Sequence, residues 1–99
     1  MSRSNRVILT GKLTGRGDLR HTPAGLPALD FRVGHVSEQV EAGRSRNVTF
    51  EIDGVALGEV AEEMINATLD AEYRFEGFLA PRSKLSRQPV LHVNRFELN

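Results

Sequence analysis

The 99 residues contain no cysteine and no tryptophan. Without thiols there are neither disulfides nor thiolate metal sites, which suits a reducing compartment and leaves the fold to rest on packing alone. No apolar run approaches the roughly 18 residues needed to span a bilayer. The basic opening MSRSNRVILTGKL has no apolar stretch of signal-peptide length behind it. A soluble, cytoplasmic protein without membrane association is expected. Aromatic residues are few, one tyrosine and five phenylalanines.

Excess charge is missing too, since 13 basic residues face 13 acidic ones. That total excludes a generic polyanion coat but says nothing of arrangement. From Met1 to Gly17 every charge is positive (Arg3, Arg6, Lys12, Arg16), and so is every charge from Pro81 to Arg95 (Arg82, Lys84, Arg87, Arg95). Glu51 to Glu72 holds only carboxylates. If these segments fold apart, the molecule acquires a negative and a positive pole.

The length fits one domain, residues 1–99, burying somewhat over ~60% of the surface its unfolded chain exposes. The stretch NRVILTGKLT reads as a β-branched strand with a bend at Gly11. GRGD and HTPAGLP are turn-rich. Leu29, Phe31 and Val33 alternate with polar neighbours as a second strand, and Val48, Phe50 and Ile52 as a third that ends at Gly54. Between them VSEQVEAGRSR reads as a polar connection with Gly43 at its tip. Leu57, Val60, Ala61, Met64 and Ile65 then recur at helical spacing, opposite Glu59, Glu62, Glu63 and Asn66. Gly58 predicts a late start to that helix. Tyr73, Phe75 and Leu79 mark a fourth strand and VLHVNRFEL a fifth.

Five strands with one short helix between the third and fourth predict an all-β OB-fold barrel, whose binding face lies on its second and third strands and in its first and last loops. An open five-stranded α+β sheet is the alternative. Glycine bends at Gly11 and Gly77 favour closure. No tail follows the last strand before Asn99, so no disordered recruitment segment is expected.

The last loop of such a barrel is APRSKLSRQP, residues 80 to 89, with Arg82, Lys84 and Arg87 and no acidic residue. Arg44 and Arg46 precede the third strand. Cations on the rim of an open groove contact phosphates whatever the base sequence. Three to five contacts to a single strand give a slope of log affinity against log salt of about −2 to −3.5. Base stacking is worth ~1–3 kcal/mol per base. Phe31, Phe50 and Phe75 lie on apolar strand phases and are assigned to the core, so Phe78, out of phase with Phe75 and Leu79, is the candidate exposed ring.

No enzyme is expected. His21, His35 and His92 are isolated from one another, without metal-site spacing. The helix carboxylates fall on a solvent face, and in GKLTGRG the Gly-Lys pair comes first, the wrong order for a phosphate-cradling loop. The Arg16-Gly17-Asp18 tripeptide and the sequons at Asn47 and Asn66 are chance patterns without a secretion signal. No cofactor or metal is anticipated.

Asn5 to His35 resembles the opening of the bacterial single-stranded DNA-binding protein family: a first strand, a Leu-Arg-x-x-Pro-x-Gly turn and an alternating second strand. Within that superfamily the chain is more similar to the primosomal replication protein N (PriB) family. Leu19-Arg20, Pro23 to Pro27, Glu41-Ala42-Gly43, Gly77-Phe78 and Val90-Leu91-His92 carry the likeness. The resemblance implies a homodimer that binds single-stranded DNA during replication restart and bridges the PriA helicase to DnaT. It also implies DNA contacts at Arg82, Lys84 and Arg87. Where related proteins carry stacking aromatics near the third strand, Arg44 and Thr49 stand here. An OB-fold protein-interaction module with little nucleic-acid binding is the alternative function.

Overall fold

The computed structural model describes residues 3–99; Met1 and Ser2, the start of the segment scanned for a leader, lie outside the described residues. Six strands and one helix follow in order: β1 (Val7–Arg16), β2 (Arg20–His21), β3 (Pro27–Glu41), β4 (Arg44–Leu57), α1 (Glu59–Met64), β5 (Glu72–Pro81) and β6 (Pro89–Leu98). The two-residue β2, inside the turn-rich segment, was not anticipated. It places the helix between the fourth and fifth strands in chain order rather than the third and fourth.

The five long strands close on themselves, which overturns the open-sheet alternative. β1 does this by changing partner. Its first half pairs antiparallel with β5, from Val7 opposite Gly77 to Lys12 opposite Glu72, and its second half pairs with β3, from Lys12 opposite Gly34 to Arg16 opposite Phe31. β3 continues the sheet to β4 and β5 to β6, and a short parallel ladder joins Gly54–Ala56 of β4 to Leu91–Val93 of β6. Pairing shifts between Leu13 and Gly15 and between Glu76 and Gly77 supply the bends that closure needs. At Gly77 the partner strand comes so near that a Cβ would lie 1.8 Å from the His92 carbonyl oxygen.

Inward phases build one core. Leu13, Leu29, Phe31, Val33, Ala56, Tyr73, Phe75, Leu91 and Val93 meet Ala61 and Met64 of the helix. Phe31 and Phe75 stack at 5.9 Å between centroids, within the range where ring pairs add to area burial. A six-residue helix is too short to persist by itself. Here Ala61 and Met64 are fully buried while Val60 and Ile65 pack at the side. Gly58 precedes it at φ 74°, ψ −139°, a conformation that glycine alone adopts without strain.

Three expectations fail in instructive ways. The supposed connection over residues 36–46 is strand: β3 and β4 pair as far as Glu41 opposite Arg44, around a two-residue turn in which Ala42 (φ 53°) and Gly43 (φ 75°) both take positive φ. Two positive φ values are what a tight hairpin with right-twisted strands requires. Beyond Gly34 this hairpin pairs with no other strand among the described residues, so it leaves the barrel. Phe50 keeps the inward phase of Ile52 but lies past the end of the core, and is 40% exposed rather than packed. Leu57 ends β4 instead of joining the helix and is likewise exposed.

Candidate nucleic-acid interface

Two prolines frame the basic loop. Pro81 ends β5, Pro89 begins β6, and the two are opposite each other in register. Between them the chain turns tightly. The Arg82 N–H donates to the Gln88 carbonyl at 2.9 Å, and the Ser83 hydroxyl accepts from the Leu85 and Ser86 N–H groups at 3.2 and 3.1 Å. The turn therefore holds itself, and Leu85 at its tip is 99% exposed. Lys84 and Arg87 are exposed and form no ion pair among the described residues.

Arg82 differs from them. Its guanidinium turns back onto the barrel and donates to Asp53 on β4. Asp53 also accepts from Arg32 Nε of β3 at 2.9 Å, and Glu51 stands 3.8 Å from that same nitrogen. The hydrogen bond from Arg32, with the nearby charges of Arg32 and Arg82, holds the Asp53 carboxyl below the usual carboxylate range in spite of desolvation. In a groove of about 340 Å³ beside it, Arg20 meets Asp30 at 3.2 Å. The barrel surface under the loop is thus a lattice of paired charges.

The separation into poles is only partial: Glu59, Glu62 and Glu63 of the helix line one shallow concavity with no cation among its residues, but the strand carboxylates do not stand apart. Asp53 of the acidic stretch lies against two arginines, and Glu76 gathers Arg6 at 2.7 Å, Arg74 at 3.5 Å and Arg95 at 3.8 Å. The hydrogen bond from Arg6 is the largest influence on the Glu76 carboxyl, and with the charges of Arg6, Arg95 and Arg74 it outweighs desolvation and lowers the pKa. Arg16 is also occupied: it donates to the carbonyls of Met64, at 3.1 Å, and Ala67, closing the end of the helix.

Arg44 and Arg46 are not brought to the loop. Both lie at the tip of the projecting hairpin, where Arg46 pairs with Glu41 at 2.6 Å. Arg46 stands seven residues along β4 from Asp53, about 23 Å at ~3.3 Å per strand residue. Phe78 is half-buried, and one face of its ring stacks on His92 at 5.1 Å and 14°. His92, read from sequence as isolated, belongs to this surface because β5 and β6 place it opposite Phe78. It lines both the Arg20–Arg82 groove and a smaller one of about 260 Å³ that contains Phe78, Val55 and Leu57.

A concavity of about 550 Å³ lies on the face of the second and third long strands where the sequence placed the binding surface, though its His35 was not among the candidates. It lies where the hairpin leaves the barrel, between β1, β3 and β4. His35 forms part of its wall, with Nδ1 2.6 Å from the Thr10 carbonyl and Nε2 2.7 Å from Ser37 Oγ. Since a carbonyl oxygen can only accept, Nδ1 carries a proton and donates to Thr10, and the hydrogen bond with Ser37 fixes the ring's other edge. Phe50 stands beside it at 5.0 Å. Among the described residues no group of three His, Cys, Asp or Glu side chains is placed to hold a metal ion, and no helix is long and apolar enough to cross a membrane.

A closed five-stranded barrel, plugged by one helix and carrying a basic loop between its last two strands, defines an OB-fold. Residues 5–95 match the model of a family described as another single-strand binding protein family. Replication restart protein PriB of Nitrosomonas europaea is 40% identical over 89 residues, spanning 90% of this chain and 82% of that protein. PriB of Bordetella pertussis is 43% identical over 91 residues, 92% and 85% of the two chains. Among solved structures, PriB of Ralstonia solanacearum superposes with a TM-score of 0.89 at 28% identity, over 98% of this chain and 99% of the other. The wild-type single-stranded DNA-binding protein of Thermus aquaticus superposes with a TM-score of 0.75 at 25% identity, over 97% of this chain and 50% of that one. The chain belongs to the replication restart protein PriB family, within the single-strand binding proteins.

Proposed function

We propose that this protein is a non-enzymatic, single-domain adaptor of replication restart, acting in the cytoplasm, that binds single-stranded DNA through the loop between β5 and β6. One observation carries the reading: a self-braced turn presents Lys84 and Arg87, unpaired among the described residues, next to an OB groove. The names of the related proteins, replication restart and single-stranded DNA binding, point the same way. Arg82 joins the two free cations when a phosphate takes it, and Phe78 with His92 offers the one ring surface near the groove. Arg44 and Arg46 act separately, as contacts for a strand that continues along the hairpin.

Two to three phosphate contacts per chain predict a slope of log affinity against log salt of about −1.4 to −2.1. This slope is for an oligonucleotide held at the loop alone. It is shallower than the sequence suggested, because Arg44 and Arg46 lie on the separate hairpin and add contacts only for a longer strand that reaches it. Fluorescence anisotropy with labelled oligothymidylate from 20 to 200 mM salt tests it; binding that ignores salt, or none at 20 mM, would defeat the proposal.

The finer roles are bridging PriA helicase to DnaT and forming a homodimer. Support for protein contacts comes from Val36 and Val40, each 77% exposed, from Phe50, and from Leu85 at the loop tip. These apolar side chains, with carboxylates beside the loop, also favour the second reading, an interaction module that barely touches DNA. Adding purified helicase to the same titration separates the two: under the adaptor reading both helicase and oligonucleotide bind, under the module reading only the helicase does.

A further inference from the structure

Asp53 serves two guanidinium groups from different elements. One carboxylate oxygen accepts from Arg32 on β3 and the other from Arg82 in the loop. A carboxylate so placed offers Arg82 what a backbone phosphate offers, a negative charge spread over oxygens that accept charge-assisted hydrogen bonds. We infer that Asp53 is a built-in competitor for phosphate, an affinity-setting residue that a nucleic-acid strand must displace from Arg82. The inference rests on reading the loop as the single-strand interface.

The geometry suits exchange rather than permanent locking. The Arg82 side chain is 44% exposed and that of Asp53 29%, so an incoming phosphate reaches the pair from solvent. Exposed ion pairs are weak enough to be displaced. When Arg82 leaves, Arg32 still holds Asp53 at 2.9 Å, and no carboxylate is stranded without a partner. Lys84 and Arg87 face no such competitor among the described residues, so the loop holds two cations that engage directly and one that engages only by exchange. Arg20 and Asp30 repeat the arrangement in the same groove, at 3.2 Å.

Asp53→Asn removes the competing charge while keeping an oxygen for Arg32. With oligothymidylate as probe, this variant is expected to bind about two- to fivefold more tightly than the wild type at low salt. Its salt slope should steepen by about 0.7, one additional cation. The gain should disappear when Arg82→Gln is added. Wild-type protein that binds, beside an Asp53→Asn variant that binds equally or less well, overturns the competitor and leaves the loop reading intact. Wild-type protein that does not bind at 20 mM salt overturns both. Should Asp53→Asn fail to fold, carbon NMR of the wild type decides: the Asp53 carboxyl resonance must move as oligothymidylate is added, and a stationary resonance in saturated protein overturns the inference.

Discussion

Arg16 on β1 donates to the backbone carbonyl of Met64 at 3.1 Å, so the first strand of the barrel braces the end of α1. Ala67 supplies a second carbonyl to the same nitrogen. Met64 ends α1 and its carbonyl also accepts from the Ala67 N–H at 3.0 Å, so the half-buried Arg16 guanidinium ties the helix end to the turn that follows it. Hydrogen bonds to charged groups contribute about 1.5–3 kcal/mol. Arg16→Ala should therefore destabilise the fold by about 1.5–3 kcal/mol in urea unfolding, with oligonucleotide affinity of the folded protein unchanged. A loss below ~0.5 kcal/mol would show that water replaces the guanidinium without cost.

The hairpin turn gives the opposite sign. Ala42 sits at φ 53°, where an L-residue with a Cβ is strained and glycine is not. Ala42→Gly should stabilise the protein by up to about 1 kcal/mol, the relief of strain exceeding glycine's extra chain entropy. Urea midpoints check this, and a destabilised variant would mean that Ala42 is not held at positive φ in solution.

Acid should weaken the fold through two carboxylates. Asp53 and Glu76 both have folded-state pKa values lowered, first by hydrogen bonds from Arg32 and Arg6 respectively. At a pH between the folded and the ordinary value, near pH 4, the unfolded chain binds more protons, so stability rises with pH across that window. Their contribution is complete above about pH 5 and fades as pH falls through the folded values. Melting temperatures should be flat from pH 7 to 6 and drop below about pH 4.5. Glu76→Gln should shallow the drop, and an identical acid profile in that variant would remove Glu76 from the account.

The strand phases were legible because a buried strand writes its pattern in alternating residues: Leu29, Phe31 and Val33 are buried as the period of two requires. The same period could not place Phe50, since phase tells which way a side chain points but not where the core ends. Residues 36–46 gave no signal because that part of the hairpin pairs only with itself in solvent and buries little. The Ala-Gly turn lacked the usual Asn-Gly cue. The site was legible as a cluster of cations and no further. Arg82 finds Asp53 29 positions away, and Arg16 finds Met64 48 positions away. Such distant pairings follow from closure of the barrel, which no local pattern records. His92 joined Phe78 for the same reason.

The loop remains the center of the functional account, and replacing its cations tests it most directly. Exposed ion pairs contribute about 0–1 kcal/mol, so the combined Arg82→Ala, Lys84→Ala, Arg87→Ala variant should melt within a few degrees of the wild type. Measured with oligothymidylate across salt concentrations, its slope should flatten by about 1.4 or more, and its low-salt affinity should fall at least about tenfold. A folded triple variant that keeps the wild-type affinity and slope would contradict the assignment of this loop to single-stranded DNA.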